Sequence, residues 1–206
     1  MKPLTLPSGW KLFIALAGLT VFMTAVILLS YPPGADGLRS AIRATARSSF
    51  ALFLLAFLAS SMVILLPGIG CRWLLRERRY VGLAFAFSHT VHGLLIYRYA
   101  QQFPELFWAG RTVTSSLPGS IGYLFLLLLS VTSFKAPMRL LGGRAWKALH
   151  STGMWVLAGV VCLSFYKRIP MGSWYPLAFA LMFSAIAFKL TAKLAQQQRR
   201  TASALS

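Results

Sequence analysis

WKLFIALAGLTVFMTAVILLSY, residues 10–31, is a run of 22 residues with a single charge, Lys11, next to its first position. Hydrocarbon leaves no water to satisfy open backbone groups, so a chain crosses it as a helix of about 20 mainly apolar residues. Trp10 and Tyr31 bracket the run with amphipathic rings suited to the membrane interface. A secretory signal is the rival reading. The apolar stretch is too long for one, and Tyr31-Pro32-Pro33-Gly34 offers no small-x-small cleavage site. The run reads as a membrane helix.

Five further apolar runs follow, at 49–69, 80–100, 117–134, 146–166 and 174–190. Pro67, Gly68 and Gly70 end the second run, and Pro118 stands in the first turn of the fourth. The third is less oily and holds Ser88, His89, Thr90 and His92, while the fifth carries His150 in its first turn or two. The sixth continues into a basic tail ending Gln196-Gln197-Gln198-Arg199-Arg200. No internal repeat is evident and the connections are too short to hold another domain. The expectation is an all-α fold: a polytopic membrane helical bundle of six transmembrane helices, in a single domain over 1–206.

Composition agrees. Of the 206 residues 57% are hydrophobic and 12% charged, against about a quarter charged in soluble domains. The missing charge is mostly acidic, with Asp36, Glu77 and Glu105, all in predicted loops, facing 21 Lys and Arg. A net charge of +18 would suit nucleic acid only on a water-exposed basic face. Here the cations sit between long apolar runs, where lipid headgroups are the natural neighbours, so the expected partner is the bilayer and not nucleic acid. One membrane face collects Lys2, Lys11, Arg72, Arg76, Arg78, Arg79, Lys135, Arg139, Arg144, Lys147, Lys189, Lys193, Arg199 and Arg200. The other holds Arg39, Arg43, Arg47, Arg98, Arg111, Lys167 and Arg168, half as many. The bias places both termini in the cytoplasm. Cys71 and Cys162 fall at opposite faces in this topology and read as small apolar fillers.

All three histidines lie inside predicted spans. An ionisable ring there usually faces the bundle interior, a partner or a cofactor. His89 and His92 share one helix face with Gly82, Phe85, Ala86, Gly93 and Ile96. The face of His150 continues through Gly153, Met154, Leu157 and Val161. Small residues beside the rings would let a flat macrocycle approach the backbone. Imidazoles from two helices are the usual means by which a helical bundle holds six-coordinate haem iron, an arrangement suited to electron transfer. The plainer reading is that these rings only bond to Ser, Thr or carbonyl partners on neighbouring helices. Catalytic zinc would need a third ligand and an open water position. Arg76, Arg78 and Arg79 could meet a flavin phosphate, haem propionates or a quinone head, but read first as positive-inside residues. Tyr97, Arg98 and Tyr99 read as an interfacial anchor, and Met154 as packing. No P-loop, no dinucleotide-binding glycine motif and no Ser-His-Asp arrangement is present in the sequence.

Arg78-Arg79-Tyr80-Val81-Gly82-Leu83, followed by Phe87-Ser88-His89-Thr90-Val91-His92, resembles the third helix of the ferric reductase-like transmembrane domain. Trp146-Lys147-Ala148-Leu149-His150 resembles the start of its fifth. That superfamily includes ferric reductases, the catalytic subunits of NADPH oxidases and the haem-binding membrane subunit of the bacterial periplasmic methionine sulfoxide reductase system. The six-helix layout covers nearly the whole chain, and the specific motifs about 25 residues. The resemblance implies haem b in a helical bundle, with His89, His92 and His150 as cofactor-binding candidates and His92 with His150 as iron ligands.

The sequence departs from the two-haem pattern of many family members, whose His pairs stand about 13 or 14 residues apart on both helices. Counting back from His92 reaches Arg79 and Arg78, and forward from His150 reaches Leu163 and Ser164, so at most one bis-His haem is expected. Depth leaves His89 open as the alternative to His92. From Tyr80, His89 lies roughly 14 Å and His92 roughly 18 Å along the helix, while His150 lies about 6 Å past Trp146.

The expected function is a membrane haem b electron-transfer protein of the bacterial inner membrane. It would be an oxidoreductase component fed by a separate flavoprotein reductase or quinone donor and delivering to a periplasmic enzyme or metal acceptor. The chain ends at Ser206, without the FAD and NAD(P)H domains of full-length ferric reductases, so flavin and nicotinamide chemistry is expected from another protein. The alternative is a non-haem assembly or interaction subunit on the same bundle. A transporter with a His relay is disfavoured, since no carboxylate lies in a predicted span.

Overall fold

The structure, a computed structural model, describes residues 6–109, 112–172 and 174–205. Lys2 and Arg111 of the charge count, and Ser206, lie outside them. The described residues form α1 (Trp10–Ser30), α2 (Ala35–Leu65), α3 (Ile69–Gln102), α4 (Pro104–Trp108), α5 (Val113–Val131), α6 (Lys135–Tyr166) and α7 (Tyr175–Leu205), with one 3-10 turn at Ile169–Met171 and no strand. The expected all-α fold is the observed one. Five helices (α1, α2, α3, α6 and α7) are long and apolar enough to cross a membrane, and α5 contributes a shorter apolar stretch, Ser116–Val131.

Four helices overrun their apolar runs. α2 begins at Ala35 instead of Ser49, α3 at Ile69 instead of Tyr80 and α6 at Lys135 instead of Trp146, while α7 continues past Leu190 to Leu205. Hydropathy marks where oil gives way to water, but the i→i−4 hydrogen bonds carry on through flanking basic turns whose residues are good helix formers. Three expectations change as a result. Asp36 sits in the first turn of α2, Glu105 in the first turn of α4 and Glu77 inside α3, so none of the carboxylates is in a loop. The two first-turn carboxylates complement the positive helix end. Pro118 lies inside α5, not in its first turn. His150 is well within α6, although Gly142, at φ 74°, breaks that helix into two segments, with His150 in the second.

Contacts divide the chain into two compact units, Met1–Phe53 with Glu77–Leu117, and Leu54–Arg76 with Pro118–Ser206. In the first unit Leu38, Ala41, Leu95 and Tyr99 form a core cluster flanked by Ile27, Leu28, Val91 and Phe107. Tyr99, expected at the interface, is buried there, and its hydroxyl accepts from Arg39 Nε at 2.8 Å. α1 buries only Leu12, Thr20 and Thr24. Its Leu29 is 86% exposed and its Phe22 67%, an apolar surface that lipid covers and water does not tolerate.

In the second unit small residues set the distance between α5 and α6. A Cβ added at Gly122 would meet Val160 Cγ1 at 3.3 Å, and one at Gly153 would meet Leu129 Cδ2 at 2.9 Å. Close approach through glycine is how membrane helices gain van der Waals contact without a hydrophobic driving force. α7 is tied in by Lys189, whose Nζ donates to the Phe57 carbonyl at 2.7 Å and lies 4.5 Å from the centroid of the Phe57 ring. Cys71 and Cys162 are both free thiols.

Candidate functional site

α2 and α3 meet in the first unit along a seam of hydroxyls. Ser49 Oγ donates to Ser88 Oγ at 3.0 Å, and Ser48 Oγ lies 3.1 Å from the same oxygen. Thr45, Ser49 and Ser88 are fully or almost fully buried. One turn along, His92 Nδ1 lies 3.0 Å from the Ile42 carbonyl oxygen and 3.3 Å from Thr45 Oγ1. A carbonyl only accepts, so Nδ1 carries the ring proton. Thr45 Oγ1 gives its own proton to a backbone carbonyl, Ala41 O at 2.8 Å or Ile42 O at 3.1 Å, and therefore receives from Nδ1 as well. The remaining nitrogen, Nε2, then bears the lone pair. Fixing of the tautomer through the far nitrogen is the usual support of a metal-ligating imidazole.

His89 stands beside it, the two rings 5.1 Å apart and tilted by 29°, with Phe85 5.7 Å away on its other side. The shared face expected from the three-residue spacing is real.

In the second unit His150 is held differently. Trp146 stacks on its ring at 4.2 Å, and Trp146 Nε1 donates to the Thr132 carbonyl at 2.8 Å. His150 Nε2 lies 2.9 Å from Thr132 Oγ1. That hydroxyl donates to the Leu128 carbonyl at 2.6 Å, so it accepts from Nε2–H. His150 is thus held through Nε2, whereas His92 is held through Nδ1. Gly153, read as space for a macrocycle, is instead filled by Leu129. At Gly82 an added Cβ meets nothing within 4 Å.

Ile42, Thr45 and Thr132 were not among the candidate residues. Thr45 and Ile42 fell outside the second apolar run, because the reading began α2 at Ser49. Had the helix been extended, Thr45, Ser48 and Ser49 would have shown one polar stripe at helical spacing. Glu77 was missed for the same reason. It is 3% exposed, and its Oε2 accepts the Gly9 N–H at 2.6 Å, where Gly9 caps α1. Among the described residues no three His, Cys, Asp or Glu side chains gather as a metal-ion site requires.

The family profile described as ferric reductase like transmembrane component matches residues 45–161. The chain belongs to this family. The matched stretch opens at Thr45 and contains His89, His92 and His150. As a ferric reductase-like transmembrane protein with five spanning-length apolar helices, it is an integral membrane protein. Over 122 residues it is 32% identical to the haem-binding subunit MsrQ of a protein-methionine-sulfoxide reductase from Azospira oryzae, covering 57% of this chain and 51% of that protein. It is 40% identical over 104 residues to the subunit of the same name from Rhodospirillum rubrum, covering 48% of each. The chain thus spans about half the length of the curated relatives it matches. No solved structure gives a significant match.

Proposed function

We propose that this protein is a membrane haem-binding electron-transfer subunit holding one haem b, with His92 as an axial ligand. The observation that carries the reading is the His92 tautomer: Nδ1–H is given to the Ile42 carbonyl, which leaves Nε2 as the basic nitrogen. His92 rather than His89 is therefore assigned to iron, and His89 is a neighbour that shapes the same face. On the family resemblance, His150 would be the second residue to hold the haem. The names of the two relatives support haem as the group bound. When bound, haem supplies one-electron transfer without an open coordination position for substrate.

By analogy with those relatives, the electron acceptor is the partner subunit of a protein-methionine-sulfoxide reductase, and the donor is a separate flavoprotein or quinone. The excess of Lys and Arg on one face supports an inner-membrane setting with both termini cytoplasmic. The chain's own contribution is to fix ring orientation in a place that excludes water.

The non-haem interaction subunit remains the second reading. It is favoured by His150 Nε2 already bonded to Thr132 and by Leu129 filling the space at Gly153. Absorption spectroscopy of the protein purified after expression with ample haem separates the two. The haem reading expects a Soret band that shifts on dithionite reduction, is retained in His89→Ala and is lost in His92→Ala. A colourless wild-type preparation would refute it.

A further inference from the structure

The structure assigns Thr45 to a task of its own: we propose that it is a positioning residue that sets the electron-donating strength of His92 through Nδ1. The inference rests on the haem reading above and deepens it. Thr45 is wholly buried, one turn from Ser49 on α2, and meets the His92 ring at Nδ1. Its Oγ1 accepts from the ring, because its single proton goes to a backbone carbonyl, Ala41 O at 2.8 Å or Ile42 O at 3.1 Å. Nδ1–H is consequently shared between two acceptors, Ile42 O at 3.0 Å and Thr45 Oγ1 at 3.3 Å.

Two acceptors on one N–H draw the proton away from the ring and raise electron density at the opposite nitrogen. A more basic Nε2 favours the oxidised iron over the reduced, so the hydroxyl lowers the reduction potential. The Ile42 carbonyl belongs to the backbone and is present whatever side chain stands there. Thr45 is the adjustable half of the pair. The seam formed by Ser48, Ser49 and Ser88 keeps α2 and α3 in register, so that this second bond forms at all.

The test is a redox titration of the full-length, haem-loaded protein with Thr45→Val, Thr45→Ala and Thr45→Ser. Valine keeps the shape and removes the hydroxyl. Alanine removes it without adding a methyl, and carries the measurement if the valine variant does not fold. The expected result is a more positive midpoint potential in Thr45→Val and Thr45→Ala, with haem affinity weakened by about tenfold. Thr45→Ser should return both to the wild-type values. Potentials indistinguishable from wild type in the valine and alanine variants, in protein that carries a normal Soret band, would overturn this inference and leave the haem reading standing. A wild-type protein that takes up no haem would overturn both.

Discussion

Gly153→Ala probes the helix contact that seats Thr132 against His150. The added methyl carbon would lie 2.9 Å from Leu129 Cδ2, 3.0 Å from Cδ1 and 3.1 Å from Cγ, where carbon pairs rest at about 3.5–4.0 Å. Leu129 is only 9% exposed, so its isobutyl group must repack within the α5–α6 contact. Overpacking of this kind costs about 1–3 kcal/mol, and exchanging Gly for Ala within a helix returns about 1 kcal/mol. The net expectation is a loss of about 1 kcal/mol. Leu129→Ala alone opens a cavity and costs about 2–5 kcal/mol. Combined, the two changes relieve one another, so the double variant should be more stable than their sum by about 1 kcal/mol or more. Equilibrium unfolding in mixed micelles with rising sodium dodecyl sulfate, followed by tryptophan fluorescence, measures all three. If Gly153→Ala were as stable as wild type and the double variant merely additive, the close α5–α6 approach at this residue would be refuted.

Thr132→Val removes the acceptor that holds His150 Nε2. One neutral hydrogen bond is worth about 1 kcal/mol net, so haem should bind about fivefold more tightly, read by titrating haem into the purified apoprotein. Weaker binding would make Thr132 a required support of His150 and not a competitor for it. At Glu77, Gln keeps an oxygen that accepts the Gly9 N–H, whereas Ala removes it. Limited proteolysis should cut ahead of Trp10 much faster in Glu77→Ala, by about tenfold for about 1.4 kcal/mol of lost anchoring, and at near wild-type rate in Glu77→Gln. Equal rates in all three proteins would show that this carboxylate does not hold the entry to α1.

The membrane-embedded parts of the helices were legible because their signal is simple: about 20 apolar residues bounded by Trp, Tyr, Pro or Lys and Arg. Helix ends were not. Residues 35–48 read as a basic connection, yet their backbone bonds continue α2 through Arg39, Arg43 and Arg47. That one misplaced boundary hid Thr45 and Ile42, the groups that contact His92. The face shared by His89 and His92 was readable, since it needs only helical spacing. Which nitrogen carries the proton was not, because that depends on an acceptor 50 residues away in sequence. Gly153 was misread for a related reason. A glycine on a helix face shows that something comes close, and only the packing shows that the visitor is Leu129. Both His92 and His150 have the threonine contacts that the plainer reading required. What separates the two rings is the nitrogen through which each is held, Nδ1 in His92 and Nε2 in His150.

The most direct test of the assignment of His92 to iron is low-temperature electron paramagnetic resonance of the oxidised protein, recorded for wild type, His89→Ala and His92→Ala. A low-spin bis-imidazole signal in wild type and in His89→Ala, replaced by a high-spin signal or no haem signal in His92→Ala, is the predicted result. An unchanged low-spin signal in His92→Ala, with the loss transferred to His89→Ala, would contradict it.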